Sequence, residues 1–199
     1  LWLKKKADSE TVLKYVNAYL TQHEPAERAE ALKAFSRCPF PMDPSPIIED
    51  AKSDFEPLRN AAWWALENIR HPAVRVFAME QIDCDLENAL PVLIRNYKTQ
   101  DEAWLTERVK SIPVDFEGTT AWHGIYGDIL AMEDYKLKAP PALLRHIYET
   151  TYCSFCREYT LRQMGKRRLL DQTILEECLL DSNDDIRTYA ARCLKRRQT

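Results

Sequence analysis

Apolar residues recur along this chain at intervals of three and four, the spacing that places side chains on one face of an α-helix. The stripes alternate with polar positions and are several turns long. Two of them are Leu58-Ala62-Leu66-Ile69 and Ile186-Ala190-Cys193-Leu194. Prolines stand near the start of several stripes, where the missing N–H of a first helical turn costs nothing. The pattern therefore predicts a chain of short helices joined by tight connections.

The predicted helices cover residues 8–22, 25–37, 45–53, 56–70, 73–83, 86–98, 101–111, 118–134, 140–151, 154–165, 168–180 and 184–197. Asp54 is the expected N-cap of the helix that contains Pro57, and Ser182 with Asp185 resembles a capping box. The least regular stretch, Lys110 to Thr120, is predicted to be a loop or a break in the packing and not a domain boundary. Four glycines in 199 residues leave little from which to build hairpin turns or phosphate loops, which strengthens the all-α prediction.

An internal repeat connects several of these helices. Residues 156–164 align with residues 186–194 at an offset of 30, matching Arg157 with Arg187 and Tyr159 with Tyr189. The shared template is an apolar residue followed by Arg, then a small residue, then a large apolar residue. Further copies begin at Leu58 and Val74, and a looser one contains Arg28, Ala31 and Phe35.

This template resembles the second helix of HEAT repeats, and the segment from Asp184 to Leu194 is its most similar copy. The resemblance implies an α-α superhelix, or solenoid, of about five to six antiparallel helical hairpins. On that interpretation residues 1–199 form one HEAT-like repeat domain. The chain begins without Met, so we expect either a processed protein or a part of a longer one.

Charge and cysteine content narrow the expected surroundings of the chain. The formal net charge is −3, yet the segment from Arg145 onward has 11 Lys/Arg against 8 Asp/Glu, so a weakly basic end belongs to an acidic chain. Six cysteines in a chain of this length do not indicate a secreted disulfide scaffold. Nothing resembles a signal peptide, and we expect a cytoplasmic protein with no membrane contact.

Two segments could hold chemistry. Cys153 and Cys156 form a Cys-x-x-Cys pair, for which a redox couple, half of a metal site and core packing are the alternatives; packing is favoured, because zinc needs further ligands. Cys178 and Cys193 could approach this pair across the repeats. His123 lies in the glycine-containing segment 122–127, interpreted as a close-packed helix crossing in preference to a functional feature. The sequence thus predicts no bound metal, no cofactor and six free thiols.

The repeat register supplies the candidate binding residues. It makes Trp64, Arg162 and Arg192 equivalent, and likewise Lys166 and Arg196, all outside the core of second helices that would line a concave face. Aromatic and basic side chains suit an acidic peptide or a phosphate backbone.

Without a hydrolase, P-loop or dinucleotide motif, no catalytic residues are predicted. The expected function is a noncatalytic scaffold for a protein or peptide. The alternative is a nucleic-acid-binding module or a DNA-repair enzyme similar to HEAT-like DNA glycosylases. Those enzymes have tryptophans in their DNA-binding cleft, and the candidates for them here are Trp63, Trp64, Trp104 and Trp122.

Overall fold

A computed structural model describes residues 9–114 and 121–197 of the chain, and these ranges contain helices and no strand. The α-helices are α1 (Ser9–Thr21), α2 (Pro25–Leu32), α3 (Ser45–Asp50), α4 (Glu56–Leu66), α5 (Pro72–Gln81), α6 (Leu86–Arg95), α7 (Glu102–Lys110), α8 (Ala121–Leu130), α9 (Pro141–Thr150), α10 (Ser154–Lys166), α11 (Gln172–Cys178) and α12 (Asp184–Arg197). Three 3-10 segments, Lys33–Ser36, Thr99–Asp101 and Ala131–Tyr135, extend or precede neighbouring helices. The all-α prediction is confirmed. Residues 115–120, within the predicted loop and the predicted start of α8, lie outside the described residues.

The chain divides into two compact units, Leu1–Tyr97 and Lys98–Thr199. In the first unit α1 packs against α2, α3 against α4, and α5 against α6. The second members of these pairs also contact one another in order, α2 with α4 and α4 with α6, while α3 contacts α5. Successive helical pairs are therefore stacked within this unit. The prediction of a single repeat domain stays a prediction.

The second unit has the same kind of packing. Helix α9 packs against α10 and α11 against α12, and the short links between the members of each pair make the two helices antiparallel. Like members again contact one another, α7 with α9, α8 with α10 and α10 with α12. Helices α8, α10 and α12 thus form one layer, and the candidate basic residues lie on the last two of them.

The template arginine has a recurring structural role. In four helices that are second members of their pairs, its guanidinium donates to the backbone carbonyl six residues earlier, in the connection before the helix. The donor and acceptor residues are Arg28 and Gln22, Arg59 and Ser53, Arg157 and Thr151, and Arg187 and Asp181. These carbonyls lie outside the helices and have no helical partner, and this side chain satisfies them from the helix that follows. The repeat in the sequence therefore marks a repeated closure of the helical hairpin.

The small residue of the template marks a close helix contact. Ala62, Ala78 and Ala190 are all fully buried, as the repeat register predicts. The copy that begins at Val74, however, lies in α5, the first helix of its pair, and was wrongly likened to a second helix. The template requires a small residue where two helices approach closely, and a first helix meets the same requirement.

Three predicted helix ends are wrong for local reasons. Helix α4 has Phe55 and not Asp54 as its N-cap residue, with no capping side chain. At α12 the cap is Asn183 and not Ser182, since its Oδ1 accepts the N–H of Asp185 at 2.8 Å. The helix predicted from residue 168 begins at Gln172, because Asp171 caps it through the N–H of Ile174 at 2.8 Å.

Candidate functional site

The residues that the repeat register aligns are exposed as predicted. Trp64, on α4 of the first unit, is 49% exposed, and Arg162 and Arg192 are exposed on α10 and α12. Lys166 and Arg196, one helical turn further along α10 and α12, are exposed too. The register therefore identifies the solvent-facing positions of these helices correctly. Trp64 belongs to the first compact unit, whereas the four basic residues belong to the second.

Arg162 is held by its own and the next helix. Its guanidinium pairs with Glu158, one turn back on α10, with an N–O distance of 2.6 Å, and lies 5.2 Å from the ring centre of Tyr189 on α12. The carboxylate of Glu158 already occupies hydrogen-bond donors of this guanidinium. Arg162 is therefore a weak candidate for capturing an anion.

Lys166 and Arg196 line a common pocket at the carboxyl end of α10. This cationic pocket, of about 760 Å³, is also lined by Arg168 and Arg197, along with Gly165, Leu170, Tyr189 and Cys193. The lining includes four basic residues and, among the parts of the chain that the structure describes, no acidic one. Lys166 is paired with Glu133 at 2.9 Å, and Arg197 donates to the carbonyl of Leu170 at 2.6 Å. Of the four basic residues in the predicted patch, Lys166 and Arg196 line the pocket and Arg162 and Arg192 do not, while Arg168 and Arg197, which were not predicted, line it as well.

The shape of the cationic pocket depends on a glycine and a tyrosine. A Cβ at Gly165 would overlap the phenol of Tyr189, so the missing side chain lets α12 pack its tyrosine directly on α10. Burial raises the pKa of Tyr189, as does the neighbouring Cys193 thiol, and the phenol stays neutral. Tyr189 therefore supplies a neutral wall between the cations of the two helices.

Arg168 occupies a strained backbone position at the edge of the cationic pocket. Its φ is 58°, in the left-handed region, where glycine is the usual residue after a helix. The turn is a Schellman motif, since the N–H of Leu169 donates to the carbonyl of Met164 at 2.9 Å. Lys136, with φ of 61°, ends the 3-10 segment Ala131–Tyr135 in the same way but does not line the cationic pocket. Sequence reasoning missed Arg168 because arginine gives no signal for a left-handed turn.

A smaller and more apolar pocket lies between α8 and α10. Its volume is about 380 Å³, and its lining includes Leu130, Phe155, Tyr159 and Arg162 together with two carboxylates, Asp134 and Glu158. Phe155 is 80% exposed, which is unusual for a phenylalanine. Because Arg162 of this pocket stacks on Tyr189 of the cationic pocket, the two depressions are neighbours.

The Cys-x-x-Cys pair lies at the start of α10, beside α8. Cys156 is buried, Cys153 is half-buried, and His123 of α8 lies beside both. Segment 122–127 packs through its buried Ile125 and Tyr126 and not through its glycines, since a Cβ at Gly124 or Gly127 would meet no described atom within 4 Å. Cys178 does not join the pair, because its sulfur lies 3.3 Å from the hydroxyl of Tyr148. All six cysteines are thiols outside any disulfide.

Two of the four tryptophans that the DNA-glycosylase alternative would place in a cleft are buried. Trp63 and Trp122 are 1% and 7% exposed, and Trp63 stacks on Phe77 with ring centres 5.0 Å apart. Both are therefore core residues, as expected of large aromatic side chains in a helical stack.

Comparison of the chain with protein-family models and with curated proteins finds no match. Within residues 9–114 and 121–197, no helix combines the length and apolar character needed to cross a membrane.

Proposed function

We propose that this chain is a noncatalytic scaffold of stacked helical hairpins, similar to HEAT-repeat proteins, that binds an acidic segment of a partner protein. The proposal of a solenoid draws support from two features of each unit: like members of successive pairs contact one another, and the template arginine closes the connection before the second helix. A solenoid presents its second helices on one continuous face, which on this proposal is the concave binding face.

The observation that carries the binding proposal is the cationic pocket of α10 and α12. Lys166, Arg168, Arg196 and Arg197 lie around it without a carboxylate in the described lining. Charges of one sign in a depression reinforce one another's potential and attract a ligand of the opposite sign. Arginine also binds carboxylates through two parallel hydrogen bonds, which gives the recognition a direction.

The apolar pocket narrows the kind of partner further. A peptide with one large apolar side chain beside two or three carboxylates would place the former near Phe155 and Leu130 and the latter near Arg168 and Arg196. Burying such a side chain contributes about 1.5–3 kcal/mol, and the carboxylates fix its direction. A nucleic acid would use the cations alone.

The experiment compares two glycine substitutions. Arg168→Gly removes a charge from the cationic pocket and relieves a left-handed backbone, while Lys136→Gly relieves the same backbone conformation outside that pocket. A residue other than glycine costs about 1–2 kcal/mol there, partly offset by the greater freedom of unfolded glycine, so both variants should gain about 0.5–1 kcal/mol of stability. Fluorescence anisotropy then measures binding of a labelled peptide of alternating Leu and Glu.

We expect Arg168→Gly to bind the peptide about three- to tenfold more weakly, and Lys136→Gly to bind it as the parent does. Equal peptide affinities for the parent, Arg168→Gly and Lys136→Gly would refute the proposal that the peptide binds in the cationic pocket. A duplex DNA of equal length tests the alternative: DNA affinity higher than peptide affinity, falling steeply with salt, would favour nucleic acid over protein.

A further inference from the structure

Three side chains with metal-binding atoms meet where α8 lies against the start of α10. One imidazole nitrogen of His123 and the sulfurs of Cys153 and Cys156 all lie within 4.8 Å of one another. The two cysteines come from one helical turn, and the histidine comes from a different helix about 30 residues earlier. Nothing in the peptide-binding proposal requires this cluster.

We propose that His123, Cys153 and Cys156 bind a zinc ion, with the fourth coordination position taken by water or an external ligand. Thiolates and imidazole are the ligands that zinc prefers, and two cysteines with one histidine and an open position form a known type of zinc site. Zinc–sulfur and zinc–nitrogen bonds of about 2.3 and 2.0 Å in a tetrahedron place ligand atoms about 3.5–3.8 Å apart. The separations between the three ligand atoms therefore need to shorten by at most about 1.3 Å from their values here.

The local backbone prepares the cluster for a cation. Cys153 occupies the N-cap position of α10 and Cys156 lies in its first turn, so both sulfurs are at the same end of one helix. The N–H of Cys153 donates to Oγ1 of Thr151 at 3.2 Å, which fixes the turn that presents the two thiols.

The three ligands differ in solvent exposure, and the most exposed of them leaves a path by which an ion can reach the site. Cys156 is 7% exposed, Cys153 is half-buried and His123 is exposed, so an ion can enter from solvent and retain an exchangeable ligand. Core packing alone accounts for Cys156 but gives no reason for an exposed histidine beside the two thiols. The ion would also join α8 to α10, two helices that already pack against each other.

The test is a cobalt titration of the reduced, metal-free full-length protein, followed by displacement with zinc. Cobalt bound by two thiolates gives sulfur-to-metal charge-transfer absorption, and the intensity of its visible bands reports tetrahedral geometry. We expect one ion per chain and a higher thermal midpoint when zinc is added, because an ion that binds the folded state stabilises it. Cys153→Ser and His123→Ala should each weaken binding by about 100-fold or more, since even loss of a residue that only hydrogen-bonds a metal ligand costs about 10–100-fold.

Matched controls are available elsewhere in the chain. Cys84→Ser and His23→Ala replace an exposed cysteine and an exposed histidine of the first unit, and both should bind cobalt as the parent does. Absence of charge-transfer absorption in the parent would overturn the proposal, as would an unchanged spectrum and affinity in His123→Ala. A count of four thiols instead of six in the natively purified, denatured protein, restored by reductant and lost in Cys153→Ser, would assign the pair to a disulfide and also overturn it.

Discussion

Replacing Arg157 by methionine would test whether the template arginine holds the helical hairpins together. One guanidinium nitrogen lies 3.1 Å from Oδ2 of Asp181, and the other lies 3.0 Å from the carbonyl oxygen of Thr151. Thr151 is 1% exposed and the Asp181 side chain 8%, so neither acceptor can turn fully to water instead. Methionine keeps most of the aliphatic stem of arginine and removes both donors.

The expected loss of stability follows from these two bonds. A hydrogen bond to a charged group contributes about 1.5–3 kcal/mol, and a buried acceptor left unsatisfied costs a similar amount. The Arg157 side chain is 36% exposed, which lowers its electrostatic contribution through solvent screening. We therefore expect Arg157→Met to lose about 2–3 kcal/mol, or about 5–10 °C in thermal midpoint for a chain of this size.

Arg145→Met is the matched control. Arg145 also contacts two acidic partners, Glu149 and Asp171, but all three side chains are about half exposed. Exposed ion pairs contribute about 0–1 kcal/mol, so this variant should be nearly neutral. Urea unfolding followed by far-ultraviolet circular dichroism gives both values. Equal losses in the two variants, or a loss below about 0.5 kcal/mol for Arg157→Met, would refute the structural role of the template arginine.

Two further changes test the packing and the electrostatics of the second unit. Ala190→Leu should lower the free energy of unfolding by about 1–3 kcal/mol in a urea titration, because Ala190 is fully buried; an unchanged midpoint would contradict the repeat register. Burial lowers the pKa of His146 below its usual 6.5, and Lys110 adds to this while Glu149 opposes it, so the folded state prefers the neutral ring. The stabilisation that the neutral His146 ring gives the folded state is present above pH 6.5 and is lost as the pH falls through the folded-state pKa. The urea concentration at the unfolding midpoint should therefore decrease when the pH is lowered from about 7 to 5, and should decrease less in His146→Gln.

Most of the helices could be predicted from the spacing of apolar residues, because each helix buries one apolar stripe that recurs every three or four positions in the sequence. Helix ends were less readable. Arg168 follows α10 in a left-handed conformation that a sequence would normally signal with glycine, so the next helix was predicted from residue 168, inside the turn, and not from Gln172. Asn183 caps α12 one residue after the expected Ser182, since both residue types can cap and only geometry selects between them.

The candidate site was partly readable for a related reason. The repeat register identified which positions of α10 and α12 are exposed, but it could not say which of the basic side chains pair with a carboxylate. Arg162 pairs with Glu158, a neighbour visible in the sequence, and Lys166 pairs with Glu133 from a different part of the chain. His123 escaped notice as a partner of the cysteines because its spacing from them follows from helix packing and from no motif.

The arginines near the end of the chain differ in the structural role that accounts for each of them. Arg157 and Arg187 donate to carbonyls of the preceding connections, so a count of charges overstates what that end offers to a partner. Arg196 and Arg197 lie in the last turn of α12, where a cation is favoured by the helix dipole whatever else it does. Arg168 has neither explanation. Glycine would be more stable in its backbone conformation, and a cation elsewhere in the last turn of α10 would serve the dipole equally well. A strained residue that carries a charge at the edge of a cationic pocket points to a role in binding, which is why Arg168→Gly is the substitution that tests the proposed function most directly.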